Sequence, residues 1–207
     1  MKCELVSLNC DWVDVLNVAR STEGKEYKEK EPTEVWKRQI LLAEHSPIRL
    51  LKVRGRWSNL KYWVSVHLTR HWLGIVHFVT TQRTDRTGLN RDMKTQNAGV
   101  NHEFEVNAQA LINISRKRLC AKASQETREA WVAFLGELAP RELMLVTVCV
   151  PECVYRGFCP EFKSCGYSKT PDFDYALASY RSCKYDEYSR VVNRCYQTTQ
   201  TGGIFTG

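Results

Sequence analysis

Two short stretches of this chain hold groups suited to gripping phosphates and the edges of heterocycles. The first runs from Arg70-His71 to Gln82-Arg83-Thr84-Asp85-Arg86. The second runs from Asn107-Ala108-Gln109 through Asn113 to Arg118. Guanidiniums bind phosphate or carboxylate in a two-pronged fashion, and amides both donate to and accept from ring edges. Arg70 and His71 can cradle a diphosphate or stack on an aromatic ring. The five residues from Gln82 to Arg86 pack an amide, a hydroxyl, a carboxylate and two guanidiniums together, although a turn before Gly88 accounts for them without a ligand.

The elements that must position these groups are legible in outline. Cys3 to Val18 reads as a strand and a turn, and the charged run from Ser21 to Pro32 as a polar loop. Thr33 can cap a helix with Trp36, Ile40, Leu41 and Ala43 as its apolar positions; His45-Ser46-Pro47 ends it. Arg49 to Arg56 alternates as a strand does. Ser58 is placed to cap a second helix from Asn59 to about Trp72, with His67, Arg70 and His71 on one face. Thr87 to Gly99 is rich in Asn, Thr and Gly and reads as an irregular loop.

The spacing predicts a further helix from Asn107 to about Lys122. It places Gln109 and Asn113 on one face and Asn107, Leu111, Ile114 and Arg118 on another. Asn107 and Arg118 would then lie roughly 16 Å apart along the axis, a span suited to one long ligand. Amides on an otherwise apolar helix need partners, from a core network or from a bound ring and its polar chain. In Arg116-Lys117-Arg118 a solvated face is the usual fate, and a binding role needs only one of the three to turn inward. Another helix is expected from Ser124 past Trp131, Phe134 and Leu135 to near Pro140, followed by an apolar segment from Leu143 to Val150.

A chain of 207 residues is most simply one domain, expected over 1–197 with a cysteine-rich segment at 149–167. The uncharged, glycine-containing stretch 198–207 is expected to be a disordered tail. The net charge of +7 favours an anionic partner. No stretch approaches the roughly 20 apolar residues that span a bilayer, and Met1 to Leu5 leads into no long apolar run, so the expectation is a cytoplasmic protein without a membrane partner.

Nine cysteines, an odd number, fit poorly with a secreted disulfide scaffold. Cys120, Cys153, Cys159 and Cys165 are candidates for a structural zinc, but lack the tight C-x2-C spacing; buried reduced thiols are the other reading. His67 and His71 form an H-x3-H pair without the H-E-x-x-H pattern of metalloproteases, and neither glycine-rich nucleotide fingerprint is present.

Five segments, in order, resemble the flavin-dependent thymidylate synthases: Ala19-Arg20-Ser21-Thr22, Glu44-His45-Ser46-Pro47, Arg70-His71-Trp72, Thr81 to Arg86, and Asn107 to Arg118. No one segment is specific; the ordered set is, over roughly the first two thirds of the chain. The resemblance implies an α/β (α+β) fold with a mixed or antiparallel sheet flanked by helices. It implies FAD against Ser46, Arg70, His71, Asn107, Gln109 and Asn113. It implies dUMP against Gln82, Arg83, Thr84, Asp85 and Arg86, with Arg118 on the pyrimidine as the catalytic residue. NADPH as reductant, methylenetetrahydrofolate as one-carbon donor and a homotetramer with shared active sites follow from the same resemblance.

The chain departs from the family pattern at Trp72, Gln82, Thr84 and Gln109, and in a shorter link from Arg86 to Asn107. Those departures leave room for another pyrimidine modification, such as hydroxymethylation. A zinc-stabilised nucleic-acid binder is the reading outside enzymology; the amides of the Asn107 helix argue against it, so no stable nucleic-acid partner is expected.

Overall fold

The computed structural model describes residues 1–182. Along the chain come β1 (Lys2–Asn9), α1 (Trp12–Ser21), α2 (Glu34–Leu42), a 3-10 turn (Ser46–Leu50), β2 (Lys52–Lys61), α3 (Tyr62–Thr69), β3 (Ile75–Val79) and the one-turn α4 (Thr84–Thr87). Then follow a 3-10 turn (Arg91–Met93), β4 (Gly99–Asn107), α5 (Ala108–Arg118), α6 (Gln125–Leu138), α7 (Leu143–Thr147), α8 (Glu152–Arg156), a 3-10 turn (Tyr167–Lys169) and α9 (Pro171–Arg181). Cys183, Cys195 and the expected tail 198–207 lie outside the described residues. Among those described, no helix is long and apolar enough to cross a membrane.

The four strands form an antiparallel sheet in the order β1-β2-β4-β3. Side chains alternate between its faces with period two. Val53, Gly55 and Trp57 on β2, and Val100, His102, Phe104 and Val106 on β4, are buried. The other face carries Arg54, Arg56, Glu103 and Glu105, where Arg56 bridges Glu103 at 2.7 Å and Glu4 at 3.1 Å.

On the buried face, Trp57 stacks on Phe104 at 4.6 Å between ring centroids, and Phe134 of α6 meets Phe104 edge-on at 4.7 Å. Those rings press so closely on β2 that a Cβ at Gly55 would stand 2.5 Å from Phe134, which is why glycine occupies the strand there. The indole nitrogens are satisfied within the core: Trp57 donates to the Ala130 carbonyl and Trp131 to the Ser115 hydroxyl, each at 2.9 Å.

Two elements differ from the sequence expectation. The segment read as strand and turn to Val18 holds a full helix, α1, because Asp11 accepts from the Asp14 amide at 2.9 Å and starts it. Ser58 does not cap a helix. Leu60 and Lys61 continue β2 against Val100 and Gly99, across a bulge at which Asn59 takes a positive φ of 56°, and α3 begins only at Tyr62. Thr33 does cap α2, accepting from the Trp36 amide.

The C-terminal helices are tied down by a buried cation. Arg38 of α2 is 1% exposed and donates to Thr147 Oγ1 at 2.8 Å and to the carbonyls of Ser179, Tyr180 and Ser182. A guanidinium at the carbonyl end of α9 satisfies acceptors that the helix itself leaves open.

Candidate functional site

Helix α5 is the spine of the site. Asn107 is its N-cap and accepts from the Ala110 amide at 2.9 Å. The Asn107 amide nitrogen donates to the Gly74 carbonyl at 2.9 Å, while the Asn107 side chain leaves no room for a Cβ at Gly74, which takes a φ of 74°. The turn after α3, carrying Arg70, His71 and Trp72, is thereby fastened to the start of α5.

At the far end of α5, Arg118 returns to the same turn. Its Nε donates to His71 Nε2 at 2.9 Å and its Nη2 to the His67 carbonyl at 2.6 Å. The H-x3-H pair is thus a rest for a guanidinium. Two bonds leave three of the five N–H donors of Arg118 for a ligand. Burial, with Arg70 nearby, lowers the Arg118 pKa. Burial, with the charge of Arg118 and then His77 adding to it, pushes His71 down to about 4. His71 is therefore neutral at pH 7 and available as an acceptor.

On the neighbouring face, Gln109 donates to Glu44 and lies 3.5 Å from Asn113 Oδ1. Arg116 donates to Asn113 at 3.1 Å, pairs with Glu44, and stacks its guanidinium on Tyr155 of α8 at 3.4 Å. Glu44 and Tyr155 are not singled out by the sequence as site residues, whereas Arg116 belongs to the basic run in which a binding role needs one residue to turn inward. Glu44 takes a positive φ of 52° just before Ser46, so the Glu44-His45-Ser46-Pro47 segment docks on α5 through its carboxylate. Of the basic run, Arg116 and Arg118 both turn inward; Lys117 stays exposed and pairs with Glu152 at 3.2 Å. An open cleft of about 250 Å³ at this end of α5 is lined by Arg116, Lys117, Arg118, Cys120, Glu152 and Glu161, among others.

The block from Gln82 to Arg86 is not brought to these walls within the chain. β3 separates it from the Arg70–Trp72 turn, and five strand residues span about 16 Å. Thr84, Asp85 and Arg86 are exposed on α4, and Arg83 forks onto Asp85 at 3.0 and 2.7 Å. The Gln82 Nε2 is buried without a hydrogen-bond partner. Ser46 and Arg70 are exposed, and neither side chain makes a hydrogen bond or ion pair with described residues.

The four candidate zinc thiols share one neighbourhood without forming a site. Burial raises the pKa of both Cys120 and Cys153, with Cys159 a smaller contributor to each. Yet among the described residues no three His, Cys, Asp or Glu side chains are placed to hold a metal ion. Cys153 is packed into the core from α8, with burial pushing its pKa up to about 11. The arrangement as it stands does not fit zinc. All described cysteines are free thiols, and burial raises Cys3, Cys10 and Cys149 to about 12, the behaviour of small apolar side chains.

The buried histidines make a pH dependence testable. His71 and His102 have folded pKa values of about 4 and about 3, below the ordinary 6.5. As pH falls from 6.5 toward those values, the unfolded chain takes up protons that the folded chain refuses, so stability drops over that window. Urea midpoints should be lower at pH 5 than at pH 7. Equal midpoints would contradict neutral, buried rings at these positions.

No family model matches the sequence, and no curated protein is significantly similar to it in sequence. Solved structures are similar in fold. Two are of the flavin-dependent thymidylate synthase ThyX from Helicobacter pylori with FAD and dUMP. Each has a TM-score of 0.60 and 12% identity, over 72% of this chain and 100% or 99% of that chain. A third is the UMP/dUMP methylase PolB from Streptomyces cacaoi bound with 5-Br dUMP: TM-score 0.56, 13% identity, 76% of this chain and 95% of that one. The antiparallel sheet, the helices packed on it and these similarities establish that the chain has the fold of the flavin-dependent thymidylate synthases.

Proposed function

We propose that the protein is a flavin-dependent enzyme that transfers a one-carbon unit to the pyrimidine ring of dUMP, making thymidylate. The observation that carries this reading is Arg118, a half-buried guanidinium fixed by the His67 carbonyl and the His71 ring with donors to spare. A pyrimidine carbonyl is a fitting acceptor for them, and charge developing on the ring during attack would be stabilised there.

The donor set suits a phosphate-bearing cofactor such as FAD. Arg70 is exposed and has no counter-ion among the described residues, His71 is neutral, and Asn107 and Gly74 give a close backbone approach. Ser46, Arg70, His71, Asn107, Gln109 and Asn113 would hold the cofactor, which when bound supplies redox chemistry that no side chain offers. Gln109 and Asn113 orient each other through Glu44 and Arg116. Methylenetetrahydrofolate is the proposed one-carbon donor and NADPH the proposed reductant.

The 16 Å of β3 between the two walls bears on assembly. Gln82, with its unpartnered amide, and Arg83, Thr84, Asp85 and Arg86 serve the nucleotide in a site completed by another copy of the chain, in the homotetramer that the resemblance implies. Arg83 and Arg86 would take the phosphate.

A second reading changes the product. Trp72 is 73% exposed where the family has an arginine, and Thr84 stands in place of its serine. Fewer contacts to cofactor and nucleotide favour a modification such as hydroxymethylation. Incubation of the protein with FAD, NADPH, methylenetetrahydrofolate and C5-tritiated dUMP should release tritium, with the product mass distinguishing the two readings. No dUMP-dependent release would overturn both.

A further inference from the structure

Behind the Arg118 site lies a line of side chains that no binding role accounts for. Ser65 of α3 is 2% exposed and lies 2.9 Å from His102 Nδ1. His102 of β4 is fully buried, edge-on to Trp57, and its Nε2 is 2.8 Å from His77 Nδ1. His77 of β3 places Nε2 2.7 Å from the backbone carbonyl of His71.

The direction of every bond in this line follows from its last member. A carbonyl can only accept, so His77 carries its proton on Nε2. Burial lowers the pKa of His77, leaving a neutral ring whose Nδ1 is bare. His102 must then donate from Nε2, and as a neutral ring its own Nδ1 accepts the Ser65 hydroxyl. One arrangement of protons satisfies all three bonds. On the other side of the same residue, Arg118 can only donate, so the His71 ring has a bare Nε2 and its proton on Nδ1.

We infer that His77 and His102 are positioning residues: with Ser65 they form a one-way hydrogen-bond chain that clamps the His71 carbonyl and so fixes the imidazole on which Arg118 rests. His71 is then held at both ends, by the chain on its backbone and by Arg118 on its ring. The chain joins β4 and β3 to the turn after α3, while the backbone bond from Asn107 to Gly74 joins that turn to α5. Neither histidine touches a ligand in this account. The role in the reaction rests on the proposed function of Arg118; the chain itself does not.

Two arms test the inference. In protein labelled with 15N-histidine, NMR at pH 7 should find His77 and His102 as Nε2–H tautomers and His71 as the Nδ1–H tautomer. A proton on Nδ1 of His77 or His102 would overturn the chain whatever the enzyme does. In the second arm His77→Leu fills most of the ring's volume but makes neither bond. It should shift the His71 resonances, raise the His71 titration midpoint, and cut kcat for dUMP by about 100-fold with KM changed little. His77→Gln can donate to the His71 carbonyl through Nε2 and accept from His102 through Oε1, and should recover to within about threefold. Unchanged His71 resonances and kcat in His77→Leu would overturn the positioning role. Should that variant not fold, failure of His77→Gln to keep the wild-type His71 signature would do the same. If the wild-type protein turns over no dUMP, the proposed function fails while the tautomers and the His71 resonances still decide the inference.

Discussion

Arg118→Ala should lower dUMP turnover by about 10²- to 10³-fold while FAD binding is retained. The substitution removes a guanidinium that is half-buried, fixed at two points and supplied with free donors. It leaves Arg70 and the Asn107 cap in place, so the groups proposed to hold the cofactor keep their positions. Arg118→Lys should recover little, because an ammonium cannot reach the His67 carbonyl, the His71 ring and a pyrimidine oxygen with one planar fork. Parallel measurement of kcat/KM and flavin affinity checks this. Activity within a few-fold of wild type would remove Arg118 from the reaction. Loss of flavin in step with activity would place it on the cofactor instead.

Trp57→Ala should destabilise the fold by about 3–5 kcal/mol. Trp57 is 1% exposed, stacks on Phe104, meets Phe134 edge-on and donates to the Ala130 carbonyl. Its removal leaves a ring-sized cavity between the sheet and α6 and a carbonyl without its donor. The same change strips the edge contact from His102 at 5.5 Å, so stability and the histidine chain should suffer together. Urea unfolding of wild type and variant measures the first effect. A loss below about 1 kcal/mol would mean that this aromatic cluster is not the centre of the core.

What could be read from the sequence was mostly local. Thr33 announces α2 because a cap and its amide are three residues apart. Asn107, Gln109 and Asn113 declare α5 by periodicity alone, and the Asn-, Thr- and Gly-rich run before β4 reads as loop for the same kind of reason. The Asp11–Asp14 cap is equally local, but the apolar residues of β1 run almost up to it and blur the start of α1. Ser58 to Lys61 have a spacing that suits a helix, whereas pairing with Val100 and Gly99 and a bulge at Asn59 hold them in the sheet.

The proposed site can be read from the sequence as a set of residues but not as a geometry. His71 and Arg118 are 47 positions apart and meet only after α3 and α5 pack. Glu44 reaches Arg116 across 72 positions, so the carboxylate that orders the amide face carries no local sign of its role beyond its place before His45-Ser46-Pro47. His77 and His102 lie on adjacent strands, 25 positions apart, and look like ordinary strand residues until the register is known. The cysteines erred in the other direction. Their spacing suggests a shared metal, while the described structure packs Cys153 into the core and brings no three ligands together.

The same geometry separates the Gln82–Arg86 block from the other wall of the proposed site. The five residues of β3 set the Gln82–Arg86 block about 16 Å along the strand from the Arg70–Trp72 turn. The proposed assembly, in which a second copy supplies this block, rests on the resemblance.

The central claim is a pocket for a flavin and a pyrimidine nucleotide together. Titrating the purified protein with FAD, alone and with dUMP present, tests it most directly. The account predicts saturable flavin binding, visible as a shift in flavin absorbance, that dUMP perturbs in the wild type and perturbs less in Arg118→Ala. A colourless protein that binds no added FAD with or without dUMP would contradict it.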